Sequence, residues 1–434
     1  MITPDDAKIE EVSGRDRDPA PEQGPALLRG WLARAAREFP DKPFVVAVED
    51  GRTITYGEMH GIAAAIAADL AARGIGANDR VSLLANNSPE HIAIYIGVLA
   101  AGATICTVHV EMNRSYFDDI LPALSSRLVI CEEGLGLEVL APRTSAAWCP
   151  LGRWQRDACA GYFADIAKRD PAASGATTGD DAANDAVIFF TSGTSAKPKG
   201  VVLTYRELLP NAAAIAEAFG LGPDDRIYDY RSFNWASAQM LSALGTASVG
   251  ATLLLGRKFS RSRFFADIAE HKATVATGNP TVLNMLLAGD DAIRAADIPH
   301  LRFITSSSAP LLVEEWKRFE ERFGIPVAQG YGSSETGWIA GCTNETKRYG
   351  SVGKPLAYLR ASVVDRDGLT LSAGEIGHVQ IGAYPDGAFR YIGEDGEMRI
   401  NAVGRVLTGD MGSSTPTAIS TSRAARRTSS SAAA

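Results

Sequence analysis

Apolar residues recur along this chain with two different periods. In LLRGWLARAAREF and again in TYGEMHGIAAAIAADLAARGI they return at the spacing of one helix face. Between and beyond these stretches stand short apolar runs, FVVAV, RVSLLA, TICTV, RLVIC and AVIFFT, each with the length of a buried strand. Strand and helix in alternation predict an α/β fold with layered sheets. The run over residues 92–108, IAIYIGVLAAGATICTV, is nearly long enough to cross a bilayer. Its flanks predict otherwise: Ser88, Pro89 and Glu90 read as N-cap, first helical residue and first-turn acid, and Gly102 as a stop. A buried helix followed by a strand from Thr104 to Val108 is expected there, and no membrane span.

The texture divides the chain. Residues 1–24 are an acidic, Pro-rich leader expected to be flexible, without the basic-then-apolar order of an export signal. Two α/β subdomains are expected over about 25–185 and 186–330, separated by the small, polar loop 171–184. From Gly350 onward SVGKPL, ASVVDRDG, GEIGHVQIGA and RYIGEDGEMRI are short alternating runs broken by Gly and Asp-Gly turns, so a β-rich subdomain is expected over about 331–412. Residues 413–434 hold Ile419 as their only large apolar residue, no acid and three arginines. Composition predicts disorder for them.

Composition narrows the function. The 434 residues are 46% hydrophobic, enough for large cores, and carry 43 basic against 51 acidic side chains for a net charge of -8. That balance argues against a nucleic-acid partner, which needs a basic face. The five cysteines are scattered without a CxxC pair, which fits a reducing cytoplasm better than a disulfide or zinc framework.

Candidate chemistry concentrates in AVIFFTSGTSAKPKGVV, residues 186–202. An apolar strand leads into Thr191, Ser192, Gly193, Thr194 and Ser195, then Lys197, Pro198, Lys199 and Gly200, and a second apolar strand follows. Small hydroxyl residues and glycine let backbone amides approach phosphate oxygens, and lysines supply positive charge. The P-loop pattern is absent, because no GK(S/T) opens a helix. A plain polar hairpin turn is the alternative reading.

This segment resembles the phosphate loop of the adenylate-forming superfamily (acyl-CoA synthetases, luciferases, peptide-synthetase adenylation domains), written (S/T)SG(T/S)TGxPKG. Ser195 and Ala196 depart from the usual Thr and Gly. Gln329, Gly330, Tyr331, Gly332, Ser333, Ser334 and Glu335 resemble the YGxTE segment. The resemblance implies Tyr331 on adenine, Ser334 at the α-phosphate and Glu335 on Mg²⁺ with Thr194, while Lys199 and Glu335 serve catalysis. Ser306, Ser307 and Ser308 resemble the GGAPL loop, implying Ser307 and Ser308 beside the nucleotide and Ser306 in the acyl pocket. Leu407, Thr408, Gly409 and Asp410 match the TGD motif, whose Asp holds the ribose hydroxyls. The resemblance covers about residues 25–412 and implies the large N-terminal domain of these enzymes, with ATP, Mg²⁺ and, as acceptor, CoA.

The acyl pocket departs more. Asn234 stands where many relatives carry His, and Tyr205 where a His follows the phosphate loop. Trp235 reads equally as pocket wall or core. Arg231 reads as a surface salt bridge or, less commonly, as a contact for a second carboxylate. The expected substrate is a small-molecule carboxylic acid, activated to an acyl-adenylate. A non-catalytic nucleotide-binding module and a stand-alone adenylation domain loading a carrier protein are the alternatives. The motifs specify neither the acid nor an oligomeric state.

In the family a Lys on a small C-terminal domain meets part of the phosphoryl charge. Neither that domain nor its hinge follows Asp410 in this sequence, so impaired activity is expected: one preorganised cation is worth about 10²–10³-fold in rate. The tail suggests a cause. Regrouping the codons of residues 414–434 by one base permits LDADGYLYISGRAPDVIISGG, which resembles the family's hinge motif. A shifted reading frame is therefore expected in the coding DNA, and sequencing it checks this: if no single-base change restores that string, the tail is native.

Overall fold

The computed structural model describes residues 24–155, 158–170, 180–191, 199–382, 388–393, 395–402, 405–415 and 418–421. Two large sheets and one small one carry them. The first orders Met398–Ala402, Ala388–Ile392, Lys199–Thr204, Asp185–Thr191, Thr104–Thr107, Arg80–Leu84, Leu128–Cys131 and Ala147–Pro150. Its last five strands run parallel, the others antiparallel. The second orders Lys354–Pro355, Gly337–Gly341, Val327–Ser333, Phe303–Ser306, Val275–Ala276, Arg226–Asp229, Thr252–Leu255, Pro43–Ala47 and Thr53–Thr55, with a parallel centre. The third is the antiparallel set Arg360–Val364, Gly377–Gly382, Arg405–Thr415 and Ala418–Thr421.

Local chemistry sets the helix boundaries. Thr55 opens helix Tyr56–Ala72 through a reciprocal capping box with Glu58. Ser88 accepts the His91 amide at 3.0 Å to open Pro89–Ala100, and Gly102, at φ 85°, ends the turn that follows. Every residue of Pro89–Ala100 is buried. The helix packs on strands Arg80–Leu84 and Thr104–Thr107 of the first sheet and on Pro43–Ala47 of the second, which explains apolar residues all round it. No helix among the described residues is long and apolar enough to cross a membrane. Tyr205, fully buried, sets its hydroxyl 2.7 Å from the Ala103 carbonyl and 3.0 Å from that of Leu99. In this chain it therefore has a structural role, tying helix Tyr205–Ala218 to the end of Pro89–Ala100.

The expected partition by residue number is not how the sheets assemble. Strands Pro43–Ala47 and Thr53–Thr55 join the second sheet, Asp185–Thr191 and Lys199–Thr204 belong to the first, and hairpin Ala388–Ile392/Met398–Ala402 leaves the β-rich segment to pair with Lys199–Thr204. Periodicity reports which face of a strand is buried; its sheet neighbour is decided by long-range packing.

The start of the segment expected to be disordered is ordered. Ser413 and Ser414 extend strand Arg405–Thr415, and Ala418–Thr421 pairs with it. Ile419 is 2% exposed, packed with Ala340 and Val352, and its backbone bonds Gly353 and Val352 at 3.0 Å each. One buried side chain and a backbone ladder suffice there, and neither leaves a compositional trace. Residues 422–434, the leader 1–23 and most of the polar loop (171–179) lie outside the described residues.

Two outcomes follow. Ile419→Ala should lower unfolding free energy by about 2 kcal/mol or more, read from urea transitions; a change within about 0.5 kcal/mol would mean the strand adds nothing to the fold. His91 is fully buried, with Nδ1 3.2 Å from the Asn86 carbonyl, and burial lowers its pKa to about 4. Because the folded value is depressed, the stability is fully present above the ordinary value of 6.5 and is lost as pH falls through about 4. The loss attributable to His91 should approach about 3 kcal/mol across that window. The measurement is the pH slope of urea stability in wild type against His91→Gln; equal slopes would sink it.

Candidate active site

The carboxyl ends of both parallel sheets open onto one cavity of about 640 Å³. Asn86, Asn87 and His109 follow strands of the first sheet; Arg231, Asn234, Trp235 and Arg257 follow strands of the second. Such crevices at strand ends are where doubly wound sheets bind ligands.

One side of the wall is the loop after Arg226–Asp229. Asn87 holds it: its Nδ2 donates to the Arg231 carbonyl at 2.8 Å and the Gly256 carbonyl at 3.0 Å, and its Oδ1 accepts the Phe233 amide at 2.9 Å. Asn234 is 3% exposed; its Nδ2 donates to the Ala85 carbonyl, and its Oδ1 has no partner among the described residues. Trp235 is half-buried and faces the cavity with its ring 5.5 Å from that of His109, so it is wall, whereas Phe233 is core. Burial lowers the His109 pKa, which keeps the imidazole uncharged near neutrality. Gln239–Leu244 forms a π-helical turn, and the Gln239 amide donates at 2.7 Å to both Thr107 Oγ1 and the Phe233 carbonyl. Inserted π turns of this kind recur at functional sites.

The opposite side carries the serine-rich and glycine-rich segments. Ser307 and Ser308 line the cavity; Ser306 lies behind them, 1% exposed, at the end of strand Phe303–Ser306. The Ser306 and Ser307 hydroxyls are buried without partners among the described residues. Ser308 holds φ 71°, a left-handed conformation that glycine would adopt at no cost. Gln329 and Gly330 are buried in strand Val327–Ser333, off the cavity. A Cβ on Gly330 would stand 2.6 Å from the Trp338 ring, and one on Gly332 2.4 Å from the Gly337 carbonyl, so both positions require glycine. Gly332 and Ser334 continue onto the cavity wall, with Glu335 half-buried next along the chain.

Tyr331 joins this segment to the TGD motif. Its hydroxyl donates to Asp410 Oδ2 at 2.6 Å and stands 3.1 Å from Thr408 Oγ1. Burial, and then the bond to Asp410, push the phenol well above its usual range, so it stays a donor. Lys199 is exposed, its Cα paired with that of Thr191 across the strands flanking the candidate phosphate loop. Ser192, Gly193, Thr194 and Ser195 lie outside the described residues.

The sequence reading missed Asn86, Asn87, His109, Lys258 and Trp338 of the cavity wall. Each stands in a loop or strand without periodicity of its own. The available signal was position: Asn86, His109 and Lys258 come within three residues of a strand's carboxyl end.

Comparison with known proteins agrees with this geometry. Residues 32–384 match the AMP-binding enzyme family. Sulfoacetate–CoA ligase of Cupriavidus necator is 28% identical over 369 residues, covering 81% of this chain and 69% of the relative. Oxalate–CoA ligase of Arabidopsis thaliana is 28% identical over 342 residues, covering 76% and 65%. The chain thus spans about two thirds of the length of these curated relatives. Apo MatB from Rhodopseudomonas palustris superposes with a TM-score of 0.76 at 22% identity, covering 92% of this chain and 79% of that one. With its sheets, glycines and motif order accounted for, the chain belongs to the AMP-binding enzyme family.

Proposed function

We propose that this chain activates a carboxylic acid with ATP and that the acyl group then passes to the thiol of CoA. The acid's carboxylate oxygen attacks the α-phosphorus, the bond to the bridging oxygen breaks, and pyrophosphate leaves with that oxygen. The thiol next attacks the acyl carbon, losing its proton to solvent, and AMP departs.

The observation that carries this reading is the Tyr331–Asp410 hydrogen bond at 2.6 Å. It brings together two segments far apart in sequence, one of which continues through Gly332 and Ser334 onto the cavity wall. An aromatic ring and a carboxylate held side by side suit a nucleoside: the ring for a base, the carboxylate for a ribose diol. Ser334 and Ser307 add hydroxyl donors at the cavity, where a phosphoryl oxygen gathers charge. Asn234 gives the cavity a neutral wall, since an amide does not change charge near neutrality and its Nδ2 is already bonded to the Ala85 carbonyl and Ser232 Oγ. The CoA acceptor is supported by the names of the sulfoacetate and oxalate ligases.

Among the described residues no group of three His, Cys, Asp or Glu side chains is placed to hold a metal ion. The Glu335 carboxylate is suited to supply one oxygen ligand to Mg²⁺ accompanying ATP, whose other ligands would come from phosphates and water. Bound there, it would neutralise charge on the phosphates.

ATP–pyrophosphate exchange tests the proposal. Exchange should depend on the added acid and fall about 10- to 100-fold in Asp410→Asn, the worth of one hydrogen bond to a charged group. Nucleotide binding without acid-dependent exchange would leave a binding module instead; loading of a phosphopantetheinyl carrier in place of CoA would change the acceptor.

A further inference from the structure

Arg231 is placed where a surface salt bridge would not be. Its side chain is 11% exposed and stands on the cavity wall. Nε and Nη2 lie 3.0 and 2.7 Å from the two oxygens of Asp229, which is fully buried. Asp229 also accepts from the Arg231 backbone amide, Ser242 Oγ and Thr277 Oγ1. The carboxylate is thus saturated with donors and works as a fixed bracket behind the guanidinium. The bracket occupies the Nε–Nη2 edge. On the other side, Nη1 has one long contact, Ser237 Oγ at 3.3 Å, and one N–H with no acceptor among the described residues.

Burying this pair is a poor way to stabilise a fold, because desolvation offsets most of the attraction. A guanidinium oriented from behind, with an open edge on a cavity, is instead a receptor for a planar or tetrahedral oxyanion. The surroundings agree in sign. Among the described residues, Arg257 and Lys258 are exposed on the same cavity and form no ion pair, and Glu111 is the single carboxylate of the lining. Three cations (Arg231, Arg257 and Lys258) thus face two carboxylates (Asp229 behind Arg231, and Glu111), a net positive balance that a second anionic group on the acid would meet. The same cavity, about 640 Å³, must also admit the reacting phosphate, which limits the length of the acid between its two anionic groups.

We propose that Arg231, held in place by Asp229, is the specificity-determining residue of this site and receives a second anionic group, making the substrate a short acid with a distal carboxylate or sulfonate. The inference rests on the acid-activation reading above.

Binding by matched acids tests it. Calorimetry on the full chain with ATP and Mg²⁺ compares succinate and 3-sulfopropionate with butyrate, which has a similar length and one charge. Wild type should bind at least one dianion about tenfold or more tightly than butyrate, and the tighter dianion names the head group. Arg231→Met alone would leave Asp229 buried and unpaired, so the decisive variant is the double Asp229→Asn/Arg231→Met. It should erase the preference, with the ATP-induced rise in Tm as its folding control. Arg231→Lys, which keeps charge but not the fork, should lose part of it. Equal or tighter binding of butyrate by wild type, or a preference surviving in the double variant or undiminished in Arg231→Lys, overturns the proposal. Failure of the activation reading is separate: Arg231-dependent dianion binding would persist while no acid supports pyrophosphate exchange.

Discussion

Three hydrogen bonds from one buried amide hold the site together. Asn87 leaves the end of a strand in the first sheet, and all three of its side-chain bonds go to loops of the second, at Arg231, Phe233 and Gly256. Each partner is a backbone group in a loop beyond the end of a strand, where no strand neighbour satisfies it. Removing the amide would leave three such groups buried and unpaired, each costing about 1–3 kcal/mol. This wall of the cavity is therefore built from loops yet positioned by sheets. Arg231, Asn234, Trp235 and Arg257 take their places from this clasp, and Gln239 repeats the device one layer deeper by linking Thr107 to the Phe233 carbonyl.

What was legible in the sequence follows from the range of the interaction that encodes it. Helix Pro89–Ala100 was written in its caps and its stop, all within a few residues, and the structure places it there. The α/β class was written in alternating periods. Sheet membership was not: Pro43–Ala47 pairs with Thr252–Leu255 across some two hundred residues, and nothing local announces that choice. The glycines of the segment around Tyr331 were legible because they are forced by close packing, as Gly330 against Trp338 shows. The acyl side was not, because Asn87 and His109 are recognisable only once two loops from different sheets meet. Ile419 shows the same limit from the other direction: composition predicts no core around it, and a single slot beside Ala340 and Val352 provides one.

Arg231 shows how burial changes the meaning of a residue already noticed. By residue type and spacing, an arginine two positions after an aspartate is most simply a salt bridge, and the structure does pair them. The pairing carries a different consequence once Asp229 is fully buried and the far edge of the guanidinium meets a cavity. The ion pair then orients a charge toward a ligand, where an exposed pair would contribute about 0–1 kcal/mol of stability and little else.

The same logic applies to the serine wall. Ser308 holds a left-handed φ where the GGAPL motif it resembles has glycine, and such a backbone costs on the order of 1–3 kcal/mol. Ser306 and Ser307 bury hydroxyls without partners among the described residues, and Trp338, on the same cavity, likewise buries its indole N–H. Three unsatisfied polar groups and a strained residue gathered around one opening are unfavourable for the fold taken alone. Buried polar groups are mostly paired, and unpaired ones beside a cavity are free to bond a ligand there. Glycine at these positions would remove the strain and the orphan hydroxyls together. Their retention beside the bracketed Arg231 gives the cavity donors at both ends, an arrangement suited to a substrate whose polar groups lie at both of its own.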